Sequence, residues 1–367
     1  MRGSGVGVVL SAGNQCDEAI SSKELQGQSR TECAGVLSMH RIQFREPGPP
    51  AVMKCLDVPI PEPASGEVLI RAHAIGVGMP DCLIRAGTYS VMPPLPATPG
   101  TELAGVIEKV GPGVTTRREG QRVYTTARER PHRGGHYAEY VATLAEATFL
   151  LPDTVDFEAA AALANYQVAY HIFNDALCLR KGQTVLIFAA AGGMGNALID
   201  LAKAADLKVI GVVSSEEKAR FVRDLSADHV INRKETKVSE SVNEITRGRG
   251  VEAIIDPVAG PAFPENIEML APCGTLLIYG ALGGKAQLDL LPTPRLRRNS
   301  PAVRQFTIHT WDHLVEERRA GMRALIDMLA AGKLHPRIHA RLPLSEVRRA
   351  HEMLESGAVV GKLLLVP

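Results

Sequence analysis

The sequence predicts an α/β protein that combines a doubly wound parallel sheet with a small β-barrel or sandwich. Between residues 184 and 280, apolar strand-like segments alternate with helix-like segments at intervals of roughly 20 residues, which is typical of right-handed βαβ units. Residues 40–125 hold short alternating runs broken by Pro and Gly, a pattern typical of small barrels and sandwiches. The length of 367 residues is enough for two or three domains.

The composition excludes several classes of protein. Lys and Arg total 41 against 40 Asp and Glu, a formal net charge of +1, so no basic surface for nucleic acid is expected. No run approaches the ~20 apolar residues that a membrane helix needs. The six cysteines form no CxxC pair and no disulfide framework, which fits a reducing cytoplasm. We therefore expect a cytoplasmic protein without nucleic-acid or membrane partners.

The first half of the chain contains three kinds of segment. Residues 1–38 have no clear periodicity and one short apolar run at 6–10, so we predict a poorly ordered tail without a targeting signal. Strands are expected at 67–72, 103–110 and 122–125. The stretch 156–180 is alanine-rich and free of Gly and Pro, which predicts a helical segment.

The second half is more regular. Its predicted strands are 184–188, 208–213, 229–231, 252–256 and 275–280, and the helices between them are 194–205, 216–225, 238–246 and 264–270. After residue 300 the pattern changes to helices at 313–331 and 345–356 and a final strand at 362–366. We interpret this as a nucleotide-binding domain (164–300) flanked by two pieces of another domain (39–163 and 301–367).

A glycine-rich turn joins the first of these strands to its helix. It is the fingerprint G-x-G-x-x-G with alanine in the first place, and it consists of Ala190, Ala191, Gly192, Gly193, Met194 and Gly195. In this motif Gly192 would let the backbone approach a pyrophosphate, and Gly195 would allow close packing of helix on strand. The helix N-terminus would present free N–H groups to the phosphates. The turn predicts dinucleotide binding.

The end of the next strand indicates NADPH rather than NADH. An NAD site usually has an acid there for the ribose 2′-hydroxyl, whereas this chain has Val213. Hydroxyl and basic side chains that suit a 2′-phosphate follow instead, namely Ser214, Ser215, Lys218 and Arg233. Two alternatives stay open: Ser215 could merely cap the following helix, and Glu216 or Glu217 could bind a 2′-hydroxyl.

Several motifs together resemble one family. The strongest is PGTELAGVIEKVG at 99–111, joined by AAAGGMG at 189–195 and weaker blocks at 66–70, 256–260 and 350–362. They are similar to the medium-chain dehydrogenase/reductase superfamily, and within it to the zinc-free quinone oxidoreductases (zeta-crystallin-like), over about residues 40–367. The resemblance implies a GroES-like β-barrel catalytic domain and a Rossmann doubly wound parallel-sheet domain. It also implies a homodimer or homotetramer joined through sheet edges, with 275–280 as the expected edge strand.

The resemblance further implies that no metal is bound. The places of two catalytic zinc ligands in zinc-dependent relatives are occupied by Gly78 and Thr101, which cannot ligate zinc as such a site requires. Cys82 lies nearby without partners and is expected to be a small buried side chain. His132 and His136 have the spacing H-x-x-x-H but no third ligand, so we expect both on the surface.

Other site residues are carried over from the family by position. Tyr89 matches an active-site tyrosine and is the predicted catalytic residue. Cofactor contacts are implied for Val168, Asp256, Gly280, Phe306 and Lys362. A family asparagine falls on Gly78, so its hydrogen bond is lost, while Asp81 is retained and expected to be structural. Tyr166 is expected to pack in the core.

The implied activity is NADPH-dependent hydride transfer to a small quinone or α,β-unsaturated carbonyl. One alternative is an enoyl-thioester reductase, with Arg128, Arg130 and Arg133 as a basic entrance for its substrate. Another is a non-catalytic NADPH-binding protein, such as a redox sensor or structural protein. The polar-poor cleft expected from Gly78 and Val168 favours this second alternative.

Overall fold

The structure, a computed structural model, describes residues 37–284 and 298–367. The tail predicted at residues 1–38 lies outside this range except for its last two residues. All elements given below belong to one unit, Ser38–Pro367.

The first part of the chain is mainly antiparallel β-structure. Its strands are β1 (Ser38–Gln43), β2 (Lys54–Pro59), β3 (Glu67–Val77), β4 (Glu102–Val110), β5 (Arg122–Thr126), β6 (Tyr140–Leu144) and β7 (Thr148–Leu150). One helix, α1 (Met79–Ala86), follows β3. β3 pairs with β4 along one edge, while β6 and the last strand of the chain divide its other edge. The predicted barrel-like domain is confirmed.

The long strand β3 lies at the centre of this domain, and most of its side chains are therefore buried on both faces. Val68, Ile70 and Ile75 belong to one apolar core, and Ala74 belongs to a second core shared with the rest of the molecule. Gly76 marks a close approach: a Cβ atom there would lie 2.2 Å from the carbonyl oxygen of Ala161. Only glycine fits at this crossing.

The stretch predicted as helical, 156–180, forms three helical elements between residues 157 and 177. The structure divides it into α2 (Phe157–Ala160), α3 (Leu163–His171) and a π-helical turn, Ile172–Leu177. At the start of α3, the carboxylate of Glu102 accepts the backbone N–H of Ala164 at 2.7 Å. A helix that begins here leaves N–H groups without intrahelical partners, and this distant carboxylate binds one of them. The amino-acid composition of the segment does not predict that contact, because Glu102 is 62 positions away in the chain.

The second part is a parallel sheet, as predicted. It contains β8 (Thr184–Ile187), β9 (Lys208–Val213), β10 (His229–Asn232), β11 (Val251–Asp256), β12 (Leu270–Ile278) and β13 (Ala302–Gln305). The helices between them are α4 (Gly193–Ala204), α5 (Glu216–Asp224), α6 (Val238–Ile245) and α7 (Phe263–Glu268). The order β10-β9-β8-β11-β12-β13 runs outward in both directions from the centre, which defines a doubly wound sheet.

Strand β13 corrects two predictions. It pairs in parallel with β12, so the segment expected as the sheet edge, 275–280, lies inside the sheet. It also places residues 302–305 in the nucleotide-binding sheet, although 301–367 were assigned to the other domain. All four residues of β13 are exposed, and an exposed strand lacks the apolar pattern from which buried strands are recognised.

The rest of the chain returns to the first domain in steps. Helix α8 (Val315–Ala330) buries Met322 and Leu325 in the same core as α3. Then β14 (Ile338–Pro343), α9 (Val347–Glu355) and β15 (Lys362–Val366) follow, and β15 pairs antiparallel with β3. Within the described ranges, no helix has the length and apolarity required to cross a membrane.

Candidate cofactor and substrate site

The glycine-rich turn has one closed glycine and one open glycine. A Cβ on Gly195 would lie 2.2 Å from the carbonyl oxygen of Ala190, so helix α4 packs against the turn with no room for a side chain. A Cβ on Gly192 would meet nothing nearer than Ala189 O at 3.7 Å. The backbone is therefore open at Gly192, where the first N–H groups of α4 lack intrahelical partners. The residues present fit a pyrophosphate cradle.

The C-terminal segment fixes the position of this turn. Gly361 N–H donates to Ala191 O at 2.8 Å, and a β-bridge joins Gly361 to Gly192. A Cβ on Gly193 would lie 2.7 Å from Asn165 Nδ2, so this position is closed as well. Ala190 is fully buried, while Met194 is half-buried against the core. The turn therefore contacts the C-terminal segment, α3 and the core, and its backbone is open at Gly192.

The carboxyl ends of β9 and β10 bring the predicted 2′-phosphate residues to one edge. Arg233 N–H donates to Val213 O at 3.0 Å, which places Arg233 beside Ser214. Ser215 caps α5, because its hydroxyl accepts the N–H of Lys218 at 3.3 Å. The Lys218 ammonium donates to Gly357 O at 2.6 Å.

The two acids that could bind a 2′-hydroxyl, Glu216 and Glu217, are both exposed on α5. Glu216 pairs with Arg223 at 2.8 Å on the exposed face of α5, and Glu217 is exposed. The capping interpretation of Ser215 therefore holds, and it leaves a cofactor contact by the same hydroxyl open.

Asp256, at the end of β11, has its carboxylate engaged inside the protein. One oxygen accepts the N–H groups of Val258 and Ala259 at 2.7 and 3.1 Å, and the other accepts Asn266 Nδ2 at 2.9 Å. The side chain is buried and shapes the loop that follows the strand. A Cβ on Gly280 would lie 2.8 Å from Pro257 O in that loop. These two residues build the carboxyl end of the sheet.

Two predicted contacts are apolar side chains of the core. Phe306 is 5% exposed, and its ring centroid lies 5.4 Å from that of Trp311. Its N–H donates to Ile278 O at 2.7 Å. Val168 is half-buried against the same core. Cofactor contacts at these positions, as at Asp256 and Gly280, stay predictions.

Lys362 has a buried ion-pair partner. Its ammonium donates to Glu102 Oε1 at 2.6 Å, and the two side chains are 4% and 0% exposed. The other carboxylate oxygen of Glu102 accepts the Tyr124 hydroxyl at 3.2 Å, besides the Ala164 N–H described above. Lys362 thus joins the last strand to the family motif at 99–111. We had expected a cofactor contact there from the resemblance, and that contact also stays a prediction.

A second buried network surrounds Asp81. Its carboxylate accepts the N–H groups of Gly78 and Gly100 at 2.8 and 3.2 Å and the Thr101 hydroxyl at 3.3 Å. Burial raises the pKa of Asp81 to about 7, against the opposing backbone hydrogen bond from Gly78 and the charge of Lys362. With three donors from its surroundings, Asp81 is the structural residue that we expected.

Histidines also lie within this domain core. His136 is fully buried, with Nδ1 2.9 Å from Gly100 O, so its predicted surface position is wrong, whereas His132 is exposed. His351 is buried with Nε2 3.3 Å from the Tyr137 hydroxyl. Burial lowers the pKa of both His136 and His351 to about 3. Both rings are therefore neutral at pH 7.

Tyr89 lies in a polar cluster that sequence reasoning did not find. Its ring is 5.6 Å from that of His309, edge to face. Ser90 Oγ lies 3.1 Å from His309 Nε2, and His309 Nδ1 lies 3.0 Å from Asp312 Oδ2. Ser90 and His309 are separated by 219 positions in the chain, and no motif links them. Only the approach of the loop after α1 to the segment after β13 brings them together.

The three arginines predicted as a basic entrance, Arg128, Arg130 and Arg133, have buried or half-buried side chains. Arg133 Nη2 lies 2.5 Å from Asp312 Oδ2, and the Arg133 and Arg128 side chains are 7% and 11% exposed. Arg130 donates to Ala142 O at 3.3 Å. These three residues therefore form no exposed basic patch for a thioester substrate.

The described part of the chain contains no group of three or more His, Cys, Asp or Glu side chains arranged to hold a metal ion. Cys82 is buried as predicted, and burial raises the pKa of its thiol to about 12. A Cβ on Gly78 would be 3.7 Å from Asp81 Oδ2 and 3.8 Å from Lys362 Nζ. A small side chain would fit at position 78, but glycine provides no metal ligand there.

Comparison with known proteins agrees with this architecture. Residues 64–153 match the family model described as "Alcohol dehydrogenase GroES-like domain", and residues 193–327 match "Zinc-binding dehydrogenase". The quinone oxidoreductase of Lama guanicoe is 34% identical over 335 residues, which cover 89% of this chain and 97% of that protein.

Two solved structures are similar throughout. The Escherichia coli quinone oxidoreductase complexed with NADPH has a TM-score of 0.78 at 30% identity, covering 89% of this chain and 100% of that one. A mycobacterial protein, also complexed with NADPH, has a TM-score of 0.78 at 33% identity, covering 90% and 100%.

The barrel-like domain, the doubly wound sheet and the glycine turn define the chain as a two-domain dehydrogenase or reductase. The chain belongs to the quinone oxidoreductase family of the medium-chain dehydrogenase/reductase superfamily. It is an oxidoreductase, and the resemblance drawn from its motifs is confirmed.

Proposed function

We propose that the protein is an NADPH-dependent, zinc-independent reductase of quinones and α,β-unsaturated carbonyls. The edge formed by β9 and β10 carries this proposal. There the strand end is Val213 instead of an acid, Ser214 and Ser215 follow it, and the backbone N–H of Arg233 donates to Val213 O. A 2′-phosphate needs hydroxyl and cationic partners, and the relatives crystallised with NADPH support the same cofactor.

The cofactor would be held by two features. The open backbone at Gly192 and the N-terminus of α4 would bind the pyrophosphate, and the edge with Arg233 would bind the 2′-phosphate. When bound, NADPH supplies the hydride. The protein's own contribution is to orient the nicotinamide against the substrate and to stabilise the charge that develops on the substrate oxygen.

Zinc independence rests on residue chemistry. Gly78 and Thr101 stand where zinc-dependent relatives carry ligands, and a catalytic zinc needs about three protein ligands. Thr101 instead donates its hydroxyl to Asp81. Quinones and conjugated carbonyls are suitable substrates because they accept a hydride without a strong Lewis acid.

A cofactor titration tests the first part of the proposal. We expect NADPH to quench the protein's fluorescence at concentrations at least tenfold lower than NADH, because Arg233 gains a charge-assisted contact only with the 2′-phosphate. Arg233→Ala should weaken NADPH about tenfold and leave NADH unchanged. Arg220→Ala, an exposed arginine on α5, is the matched control and should change neither. Equal affinity for both nucleotides would contradict the assignment.

A substrate panel tests the second part. With NADPH, we expect turnover of benzoquinone and of cyclohexenone, and no loss of rate after dialysis against a strong chelator. Crotonyl-CoA is included as a thioester, and turnover of it alone would redirect the assignment to an enoyl-thioester reductase. NADPH binding without turnover of any compound would favour a non-catalytic nucleotide-binding protein.

Three further expectations stay predictions: a cytoplasmic location, a homodimer or homotetramer, and domain boundaries close to residue 163. Because β13 is an outer strand of the described sheet, we now propose β13 as the edge that would join subunits. Analytical ultracentrifugation of the protein would test the oligomer directly.

A further inference from the structure

A line of three polar side chains crosses between the two parts of the molecule. Ser90 Oγ lies 3.1 Å from His309 Nε2, and His309 Nδ1 lies 3.0 Å from Asp312 Oδ2. These are hydrogen-bond distances with the connectivity hydroxyl–imidazole–carboxylate. In other enzymes this connectivity moves protons, and it is recognised by geometry and not by sequence position.

The carboxylate defines the direction of these bonds. An ionised carboxylate only accepts hydrogen bonds, so His309 Nδ1 carries the proton toward Asp312. In the neutral ring, Nε2 then accepts the Ser90 hydroxyl, and in the imidazolium Nε2 donates to Ser90 Oγ. The same contact therefore serves both protonation states of His309.

The surroundings keep Asp312 ionised. Burial alone would raise the pKa of Asp312, but the His309 hydrogen bond and the charges of Arg133 and Arg128 lower it below its ordinary value. Arg133 Nη2 is 2.5 Å and Arg128 Nη1 is 3.8 Å from the carboxylate. On the other side, the ring of Tyr89 covers His309 edge to face at 5.6 Å.

The line is accessible to solvent at its Ser90 end. Ser90 is exposed, and His309 and Asp312 are 22% and 24% exposed. The other polar networks are closed, because Glu102, Lys362 and Asp81 are each less than 5% exposed. Ser90 follows α1 and His309 follows β13, so the line joins a loop of the barrel-like domain to the segment that follows the nucleotide-binding sheet.

We propose that Ser90 and His309 form the proton relay that neutralises the reduced substrate, with Asp312 as the positioning residue. This inference rests on the proposed function and adds the source of the proton that the reduction requires. Ser90 would be the catalytic residue in contact with the substrate oxygen. Tyr89, the residue carried over from the family, would instead hold the imidazole in place.

The step balances as follows. For a conjugated carbonyl, the hydride that NADPH would supply forms a new C–H bond at the β-carbon as NADPH is oxidised to NADP+, and the electron pair of the C=C bond shifts to leave a negative charge on the carbonyl oxygen. The Ser90 O–H bond then breaks while an O–H bond forms on that oxygen. The His309 Nε2–H bond breaks, its proton returns to Ser90 Oγ, and its electron pair stays on the ring. Water later reprotonates His309.

His309→Gln is the first test, because glutamine keeps a polar side chain but cannot transfer a proton at neutral pH. With cyclohexenone we expect kcat to fall about 100-fold or more, the range of general-acid catalysis. The solvent deuterium isotope effect should rise, since protonation becomes slower. With benzoquinone the loss should be smaller, because its hydroquinone anion is less basic than an enolate. His313→Gln, a nearby exposed histidine, is the matched control.

Ser90→Ala and Ser90→Thr form the second test. Ser90 is exposed, so its replacement spares the core. We expect Ser90→Ala to lower kcat with cyclohexenone about tenfold or more, and Ser90→Thr to recover most of it, because threonine retains the hydroxyl. Unchanged kcat and isotope effect in both Ser90→Ala and His309→Gln would overturn the relay.

A binding probe separates this inference from the proposed function. Nitrophenolate, the ionised form of nitrophenol, absorbs visible light and mimics the product oxyanion. We expect Ser90→Ala to weaken its binding to the protein about tenfold, because the hydrogen bond from the Ser90 hydroxyl to the anionic oxygen is lost. Equal binding by wild type and variant would also count against the relay. If the wild-type protein reduces none of the panel, the proposed function itself fails, whatever the probe shows.

Discussion

The buried ion pair between Lys362 and Glu102 yields a prediction that separates a structural from a cofactor-binding lysine. In Lys362→Met the apolar part of the side chain is retained and the ammonium is lost. Glu102 would then keep only the Tyr124 hydroxyl and the Ala164 N–H as partners. Its carboxylate would be a buried charge without a counter-ion.

The magnitude follows from burial. Both side chains are less than 5% exposed and the two charged atoms are 2.6 Å apart. Breaking such a pair from one side costs about 3–5 kcal/mol, because the remaining charge is left desolvated. Against a total stability of roughly 5–15 kcal/mol, this loss would be evident at once. Glu102→Gln in the Lys362→Met background removes the stranded charge and should recover about half of it.

Urea unfolding followed by circular dichroism measures the effect, and an NADPH titration accompanies it. Lys333→Met, an exposed lysine, is the control and should change the unfolding free energy by less than about 0.5 kcal/mol. If Lys362→Met weakens NADPH binding while the unfolding free energy moves by less than about 1 kcal/mol, the lysine is a cofactor contact and the structural reasoning fails.

Three further predictions follow from the site and its surroundings. Gly195→Ala should lower both stability, by about 1–3 kcal/mol, and NADPH affinity, since its Cβ meets backbone at 2.2 Å. Gly192→Ala should lower NADPH affinity alone, and a stability loss equal to that of Gly195→Ala would contradict the open cradle. Ser215→Ala should cost about 1 kcal/mol as a lost helix cap, measured by thermal unfolding, and a cofactor contact would add weaker binding of NADPH but not NADH. The folded-state pKa of His351, about 3, lies below the ordinary 6.5, so the unfolded state takes up a proton that the folded state refuses as pH falls. His351 should therefore contribute a drop in unfolding free energy of about 1.4 kcal/mol per pH unit between these values, beside the similar contribution of His136. His351→Gln should remove that contribution, and an unchanged slope for this variant in urea titrations would show that His351 ionises normally.

Elements with a local signal could be predicted from the sequence. The strand and helix of the glycine turn carry their apolar periodicity within a few residues, and Gly192 and Gly195 mark where backbone must approach backbone or ligand. The predicted final strand, 362–366, agrees residue for residue with Lys362–Val366. The place of Ser215 as a helix cap was also readable, because its hydroxyl bonds three residues ahead.

The unpredicted features fall where distant parts of the chain decide the outcome. Strand β13 is exposed at every residue, so its pairing with β12 has no apolar signature. The break before α3 depends on a carboxylate at Glu102, and the burial of His136 depends on the carbonyl of Gly100. Each of these contacts comes from outside the segment that it changes.

The sequence by itself determined the family, the class of cofactor turn and the alternation of strands and helices between residues 184 and 280, because all three rest on short-range periodicity and motif spacing. Only the tertiary structure decided which polar groups meet. Lys362 reaches Glu102 across 260 positions and Ser90 reaches His309 across 219. Such pairings depend on how strands and loops that are far apart in the chain come together in the fold, which no local pattern encodes.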